Sequence, residues 1–281
     1  MKVRFWGTRG SLATAGAETV RYGGNTACVE LRAEGAPVVV LDAGSGIRPL
    51  GVALGEDVPR IDILLSHLHM DHVQGLGFFA PLFSTGREIH IWGPPSTTLS
   101  LRERLTRYLS PPLFPVALRD VPSDLALHDV PTDEPFELGP LVVTAALVIH
   151  PGPTVGYRIT DGRTTMGYLP DHEPALGSRD FPGPPDWLSG FALAVGADLL
   201  IHDAQYTEGE YAERIGWGHS TLRHAVHLAA AANVRRLATF HHDPTHDDTT
   251  IDQLLMAIDR GGLDVFGARE GLELTLGGRG S

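Results

Sequence analysis

Short apolar or β-branched runs bounded by Gly, Pro or Asp dominate the first half of the chain. Residues 2–6, 27–31, 37–41, 61–65 and 88–92 each read as a strand on this pattern. Over 100–109 the spacing changes. Leu101, Leu105 and Leu109 recur every fourth residue, with Arg102, Glu103, Arg104 and Arg107 between them, which is helical. Pro111-Pro112-Leu113-Phe114-Pro115 then stops the helix. The second half repeats the style, with strands predicted over 141–149, 155–160, 164–169, 198–202 and 235–240 and a Pro- and Gly-rich loop over 170–190. Ser220 is the expected N-cap of a helix over 221–232, and a helix over 251–260 ends at Gly261-Gly262. There is no tandem repeat or low-complexity linker. Two strand-rich halves with helices outside predict a single domain over 1–281, a β-sandwich flanked by helices.

Composition narrows this only slightly. With 22 Lys plus Arg against 34 Asp plus Glu, the formal charge of the 281 residues is −12. Nothing in that balance drives nonspecific binding to nucleic acid or an anionic membrane, although a local basic patch stays open. The single cysteine, Cys28, excludes an intrachain disulfide and sits in a strand-like run, where it reads as core packing. The start, residues 1–7, is too short and too charged for a secretion signal, and no apolar run reaches the roughly 18 residues of a membrane span. The expected location is cytoplasmic.

The 14 histidines change the picture. Ser66-His67-Leu68-His69-Met70-Asp71-His72 follows the apolar run 61–65 directly and packs three imidazoles and a carboxylate into six residues. Alternate residues at a strand end share a face, so His67 and His69 can aim the same way, with Asp71 and His72 one turn later. Neutral imidazole and carboxylate suit zinc and similar borderline metals. A His-rich surface loop is the plain alternative, but such a loop has no reason to sit at the mouth of a buried strand. His150, Asp171 and His241 each lie where an apolar run stops. Singly each reads as a loop residue; together they fit one edge of a sandwich that collects ligands.

His67-Leu68-His69-Met70-Asp71-His72 resembles the HxHxDH signature of the metallo-β-lactamase superfamily, and the order of His150, Asp171 and His241 is similar to its remaining ligand positions. The likeness runs from Phe5-Trp6-Gly7-Thr8-Arg9-Gly10-Ser11 to the His241 region. It is strongest to the phosphodiesterase branch, which includes tRNA 3′-processing endonucleases, cyclic-phosphate hydrolases of phosphonate metabolism and cyclic-nucleotide phosphodiesterases. The resemblance implies an α/β fold, a four-layer αββα sandwich, and two divalent metal ions, with zinc expected and manganese as the alternative. It implies that His67, His69 and His150 hold one ion, that Asp71, His72 and His241 hold the other, and that Asp171 bridges both. His241 is preferred to His242 because it continues the strand directly; His242 and His246 read as loop residues. Asp42, after the run 37–41, either orients a ligand imidazole or caps a Gly turn. His90, His128, His172, His224 and His227 receive no functional role; His224 and His227, three apart on a helix, read as a solvated face.

Two cations about 3.5–4 Å apart share a water, lower its pKa and offset the charge of a five-coordinate phosphorus. The leaving alkoxide then needs a proton. Leu199-Leu200-Ile201-His202-Asp203-Ala204 ends a strand in an acid, and Gly216-Trp217-Gly218-His219-Ser220-Thr221 opens a helix. If Asp203 orients and charges His219, that imidazolium is the donor; otherwise His219 only packs at a helix entry. The phosphodiesterase branch commonly has Glu where this chain has Asp203, one methylene shorter. Asp71, Asp203 and His219 are therefore the candidate catalytic residues. The expected function is a binuclear metal-dependent phosphodiesterase that hydrolyses a small, cyclic nucleotide by a metal-activated hydroxide, as a homodimer and away from membranes. A tRNA 3′-end endonuclease is the first alternative and leaves tRNA binding open, though no Lys/Arg-rich insertion is present. A thioesterase or lactam hydrolase leaves Asp203 and His219 unexplained, and a non-catalytic metal or nucleotide sensor is the alternative of another class.

Overall fold

The computed structural model describes residues 1–178, 181 and 185–277. Among them the strands run, in chain order, β1 Lys2–Gly7, β2 Cys28–Arg32, β3 Val38–Leu41, β4 Arg60–Leu64, β5 Glu88–Gly93, β6 Asp124–Asp129, β7 Phe136–Leu138, β8 Leu141–Leu147, β9 Val155–Thr160, β10 Thr165–Leu169, β11 Leu199–Asp203, β12 Arg236–Phe240, β13 Asp264–Gly267 and β14 Glu273–Thr275. The α-helices are α1 Ile47–Ala53, α2 Met70–Val73, α3 Leu101–Thr106, α4 Phe191–Ala194, α5 Glu208–Glu213, α6 Leu222–Ala231 and α7 Asp248–Ala257.

The strands form two sheets, in the orders β14-β1-β2-β3-β4-β5-β6 and β13-β12-β11-β10-β9-β8-β7. Each sheet has an antiparallel part and a parallel part. In the first, β3, β4, β5 and β6 run parallel. In the second, β10, β11, β12 and β13 do. Side chains alternate across each strand and so build three apolar layers. Val29, Leu31, Val39, Leu41 and Leu64 meet Leu141, Val143, Tyr157, Tyr168, Ile201 and Phe240 between the sheets. Val40, Ile61, Ile63, Ile89 and Ile91 face outward onto Ile47 and Leu50 of α1 and Leu101 and Leu105 of α3. Leu200, Leu237 and Val265 face the other way onto Leu193, Ala225, Leu228 and Leu255 from α4, α6 and α7. This is the expected αββα sandwich.

Several local expectations are corrected. The cap of α6 is Thr221, whose side chain accepts from His224 N, and not Ser220. Ser220 is instead buried, and its hydroxyl donates to His172 O. The last helix begins three residues before the predicted 251, because Asp247 caps it by accepting from Thr250 N, and it ends at Ala257. The predicted helix 100–109 is α-helical only over Leu101–Thr106, entered through a reciprocal Ser100/Glu103 capping box. None of the described helices is long and apolar enough to cross a membrane.

The carboxyl ends of the parallel strands in both sheets carry the polar residues. Asp42 follows β3, His67 follows β4, Asp171 follows β10, Asp203 ends β11 and His241 follows β12. Open α/β sheets place their ligand sites at such strand ends.

Candidate metal centre

β4 ends at Leu64, and Leu65 N still donates to Trp92 O before the chain turns through Ser66 and His67. His69 is the extended residue from which the single turn of α2 starts, so Asp71 and His72 lie on that turn. Among the described residues four groups of ligand-type atoms, each with its atoms within 4.8 Å of one another, meet here: two separate ones, His67, His69 and His150, and Asp71, His72, Asp171 and His241, and two that overlap them, His150, Asp171 and His219, and Asp203, His219 and His241. His150 Nε2 is 3.2 Å from His69 Nδ1. On the other side, His72 Nε2 is 3.3 Å from Asp71 Oδ2 and 3.0 Å from Asp171 Oδ1, and His241 Nε2 is 3.1 Å and 3.3 Å from the same two oxygens. Asp171 faces both of the separate groups. While its Oδ1 looks toward His72 and His241, its Oδ2 is 3.7 Å from His67 Nε2 and 3.8 Å from His150 Nε2. All seven predicted residues thus meet in one place. The structure brings His241 there and not its neighbours: His242 Nε2 donates to Ala268 O, and His246 pairs with Glu210.

The rings are aimed by partners behind them. Asp42 accepts from Ser66 N at 2.7 Å and, on Oδ2, from Ser66 Oγ, His72 Nδ1 and Tyr168 OH, each at 2.8 Å. With its hydroxyl proton on Asp42, Ser66 Oγ accepts from His67 Nδ1 at 3.0 Å. One carboxylate therefore sets His72 directly and His67 through a hydroxyl. His150 Nδ1 donates to Gly218 O at 2.8 Å, and His241 Nδ1 donates to Gln205 Oε1 at 2.9 Å. In each case Nε2 is left for the cluster, the arrangement by which outer partners fix the tautomer of a ligating imidazole. Asp42 and His241 both have left-handed backbones, with φ of 59° and 58°. Such conformations cost non-glycine residues energy and concentrate at functional sites. Gly10 leaves room for His241: a Cβ there would lie 2.3 Å from His241 Nδ1.

The electrostatics differ between the groups. Burial, reinforced by neighbouring imidazoles, holds His67 well below the usual range and His150 at about 4, so both are neutral donors at pH 7. Burial also opposes charge on His72 and His241, but Asp171 and Asp71 overcome it, raising His72 well above the usual range and His241 to about 9. Burial likewise pushes Asp71 up, yet His72 and His241 hold it far below the carboxylate range. The second group therefore demands positive charge between its carboxylates. His67 Nε2 and Asp171 Oδ1 are buried with no hydrogen-bond partner. Neutral imidazoles, carboxylates calling for a cation and orphaned atoms turned inward together fit divalent metal ions.

Beside this cluster His219 Nδ1 donates to Asp203 Oδ2 at 2.6 Å. Gln205 N and Ser220 N donate to the other oxygen of Asp203, and His172 N to the same one as His219. His219 stacks on His241, with ring centroids 4.9 Å apart, and its Nδ1 is 3.9 Å from Asp171 Oδ2.

Gln205, Ser66, Tyr168 and the Gly218 carbonyl were not singled out from the sequence. Gln205 stands two residues past Asp203, which is the one signal that could have found it. His224 does not lie on a solvated face: it is buried against Tyr211, and His227 is half-buried. His90, from the middle of β5, and His128, near the end of β6, stack on each other, and neither belongs to a group of ligand-type atoms among the described residues. The stretch 22–26 packs inside the fold, where Gly23 O accepts from Arg9 and Asn25 binds Glu270.

The family model described as "Beta-lactamase superfamily domain" matches residues 38–242. Ribonuclease Z of Myxococcus xanthus is 28% identical over 248 residues, 75% of this chain and 79% of that one. An uncharacterized protein of Mycobacterium leprae is 32% identical over 222 residues, 76% of this chain and 70% of its own. Among solved structures, the short form of human tRNase Z superposes with a TM-score of 0.69 at 23% identity, covering 98% of this chain and 99% of that one.

Proposed function

This chain belongs to the beta-lactamase superfamily, and from that premise we propose that it is a binuclear metal-dependent hydrolase of phosphodiester bonds, acting on a small and foremost a cyclic nucleotide. His67, His69 and His150 would hold one divalent ion, Asp71, His72 and His241 the other, and Asp171 would lie between them; zinc is the expected metal and manganese the alternative. When bound, two such ions supply Lewis acidity and lower the pKa of the water that attacks phosphorus.

The observation that carries the reading is the Asp203–His219 pair set against this cluster. Cleavage of a phosphodiester breaks the P–O bond to an alkoxide, which must gain a proton. With Nδ1–H on Asp203, the proton that His219 gives up is the one at Nε2, and the nearby carboxylate stabilises the imidazolium before transfer. A thioester's thiolate leaves without a proton, so a thioesterase has no comparable need for this pair, and the likeness to ribonuclease Z supports phosphodiester chemistry over a lactam.

The substrate's size is inferred from its surroundings. A cleft of about 280 Å³ beside His67 and His69 is lined by Ser96, Thr98, Arg104 and Arg107. An adjoining apolar cleft of about 340 Å³ is lined by Leu68, Met70, Tyr108 and Leu113. Together they suit one nucleotide, with its base in the apolar part. Exposed Met70, Phe78 and Leu113 near this mouth support a homodimer. The second reading, cleavage at the 3′ end of a tRNA precursor, rests on the ribonuclease Z likeness. Steady-state rates on 2′,3′- and 3′,5′-cyclic nucleotides and on an unprocessed tRNA, at matched low salt, separate the two. The small-substrate reading expects the higher kcat/KM on a cyclic nucleotide; a higher value on the tRNA overturns it.

A further inference from the structure

Two residues past Asp171, the side chain of Glu173 is completely buried, and among the described residues it makes no ion pair. Among the described residues its carboxylate is met by hydrogen-bond donors alone. Tyr211 OH donates to Oε1 at 2.6 Å and Gly177 N to the same oxygen at 3.4 Å. Gly216 N donates to Oε2 at 3.1 Å, and Gly218 N also donates to Oε2 at 3.1 Å. A buried carboxylate without a cation is costly unless donors saturate it, so this one persists because the surrounding loops are built around it.

Those loops lead to the centre. Gly218 O is the acceptor that aims the His150 ring, and His219 is the next residue. Glu173 N donates to Ile149 O at 3.0 Å, directly before His150. The backbone and side chain of Glu173 thus brace His150 from both sides. The brace leaves no slack: Gly218 has φ of 86°, and a Cβ there would lie 2.5 Å from His150 Nδ1 and 2.3 Å from Pro151 Cδ.

We propose that Glu173 is a positioning residue that locks the 216–218 loop, and through it sets both the metal-facing nitrogen of His150 and the place of His219. The part concerning His219 rests on the phosphodiesterase reading above. Without the carboxylate, the Gly216 and Gly218 N–H groups lose their acceptor, the loop moves to recover one, and the two histidines move with it.

Glu173→Gln puts an amide, itself a donor, where donors converge. The test compares wild type, Glu173→Gln and His219→Ala by two readouts. The first is metal affinity of the metal-depleted protein, by chelator competition. The second is the ratio of kcat on an alkyl phosphodiester to kcat on bis(p-nitrophenyl) phosphate. Glu173→Gln is expected to lose roughly 10–100-fold in affinity for one of the two metals and to be slowed more on the alkyl ester than on the nitrophenyl one. His219→Ala is expected to show only the second effect. Wild-type affinity for both metals together with an equal slowing of both esters overturns the proposal, since a general loss of stability would do no more than that. If Glu173→Gln does not fold, Tyr211→Phe removes one donor while keeping the charge: a several-fold affinity loss supports the proposal and wild-type affinity overturns it. The affinity readout needs no substrate, so if wild type cleaves neither ester the phosphodiesterase reading fails while the placement of His150 is still decided.

Discussion

His219 and Asp203 are joined at 2.6 Å, sixteen residues apart in sequence, and every described contact of Asp203's carboxylate is with a donor that fixes it in place. On the phosphodiesterase reading proposed above, the pair is an oriented proton carrier. His219→Ala should therefore lower turnover of alkyl phosphodiesters by about 10²–10⁴-fold and leave the metal content as it is. The deficit should shrink on nitrophenyl esters, whose leaving group scarcely needs a proton. Equal deficits on both ester types would make His219 a binding or structural residue.

Asp42 tests whether the partners behind the rings matter. Asn tolerates the left-handed backbone at this position, with its φ of 59°, so Asp42→Asn changes the charge while sparing the turn. Its amide cannot accept from His72, Ser66 and Tyr168 as the carboxylate does. Metal affinity should fall roughly 10–100-fold, measured by competition with a chelator, with the unfolding transition still cooperative. Unchanged affinity would reduce Asp42 to a turn residue.

His202 makes acid stability a separate test. It is fully buried, donates from Nδ1 to Asp203 O and meets His172 Nδ1 through Nε2. Burial holds it at about 4, against 6.5 for the unfolded chain. Below pH 6.5 the unfolded state takes up a proton that the folded state refuses, so this residue's contribution is lost as pH falls from 6.5 toward 4. By pH 5 the loss is about 2 kcal/mol. In denaturant titrations at pH 7.5 and pH 5, His202→Asn should lose less stability on acidification than wild type by about that amount. Identical losses would mean that His202 takes up its proton without unfolding.

How much of this was legible in sequence follows from the range of the interactions. The layers were legible because alternation along a strand such as Leu141–Leu147 is local and fixes its faces. The candidate ligand residues were legible because they sit where apolar runs stop, and four of them fall within the six residues 67–72. Polar edge strand Asp124–Asp129 and three-residue strands Phe136–Leu138 and Glu273–Thr275 were not, since pairing and not pattern makes them strands. Gln205 and Gly218 act on rings 36 and 68 residues away, those of His241 and His150, and Tyr168 acts on the Asp42 carboxylate 126 residues away. Nothing near them in sequence announces those contacts. His224 was misplaced because an i, i+3 pair does not say which face of α6 meets the Tyr211 ring.

The most direct measurement is turnover of bis(p-nitrophenyl) phosphate by metal-depleted protein as zinc or manganese is returned. Seven ligand-type residues in two groups joined by Asp171 are too many for one tetrahedral ion. Activity should climb until two equivalents are bound per chain, and Asp171→Ala should weaken both binding steps. Full activity at one tightly bound equivalent, with no further gain on adding metal, would contradict the two-metal account.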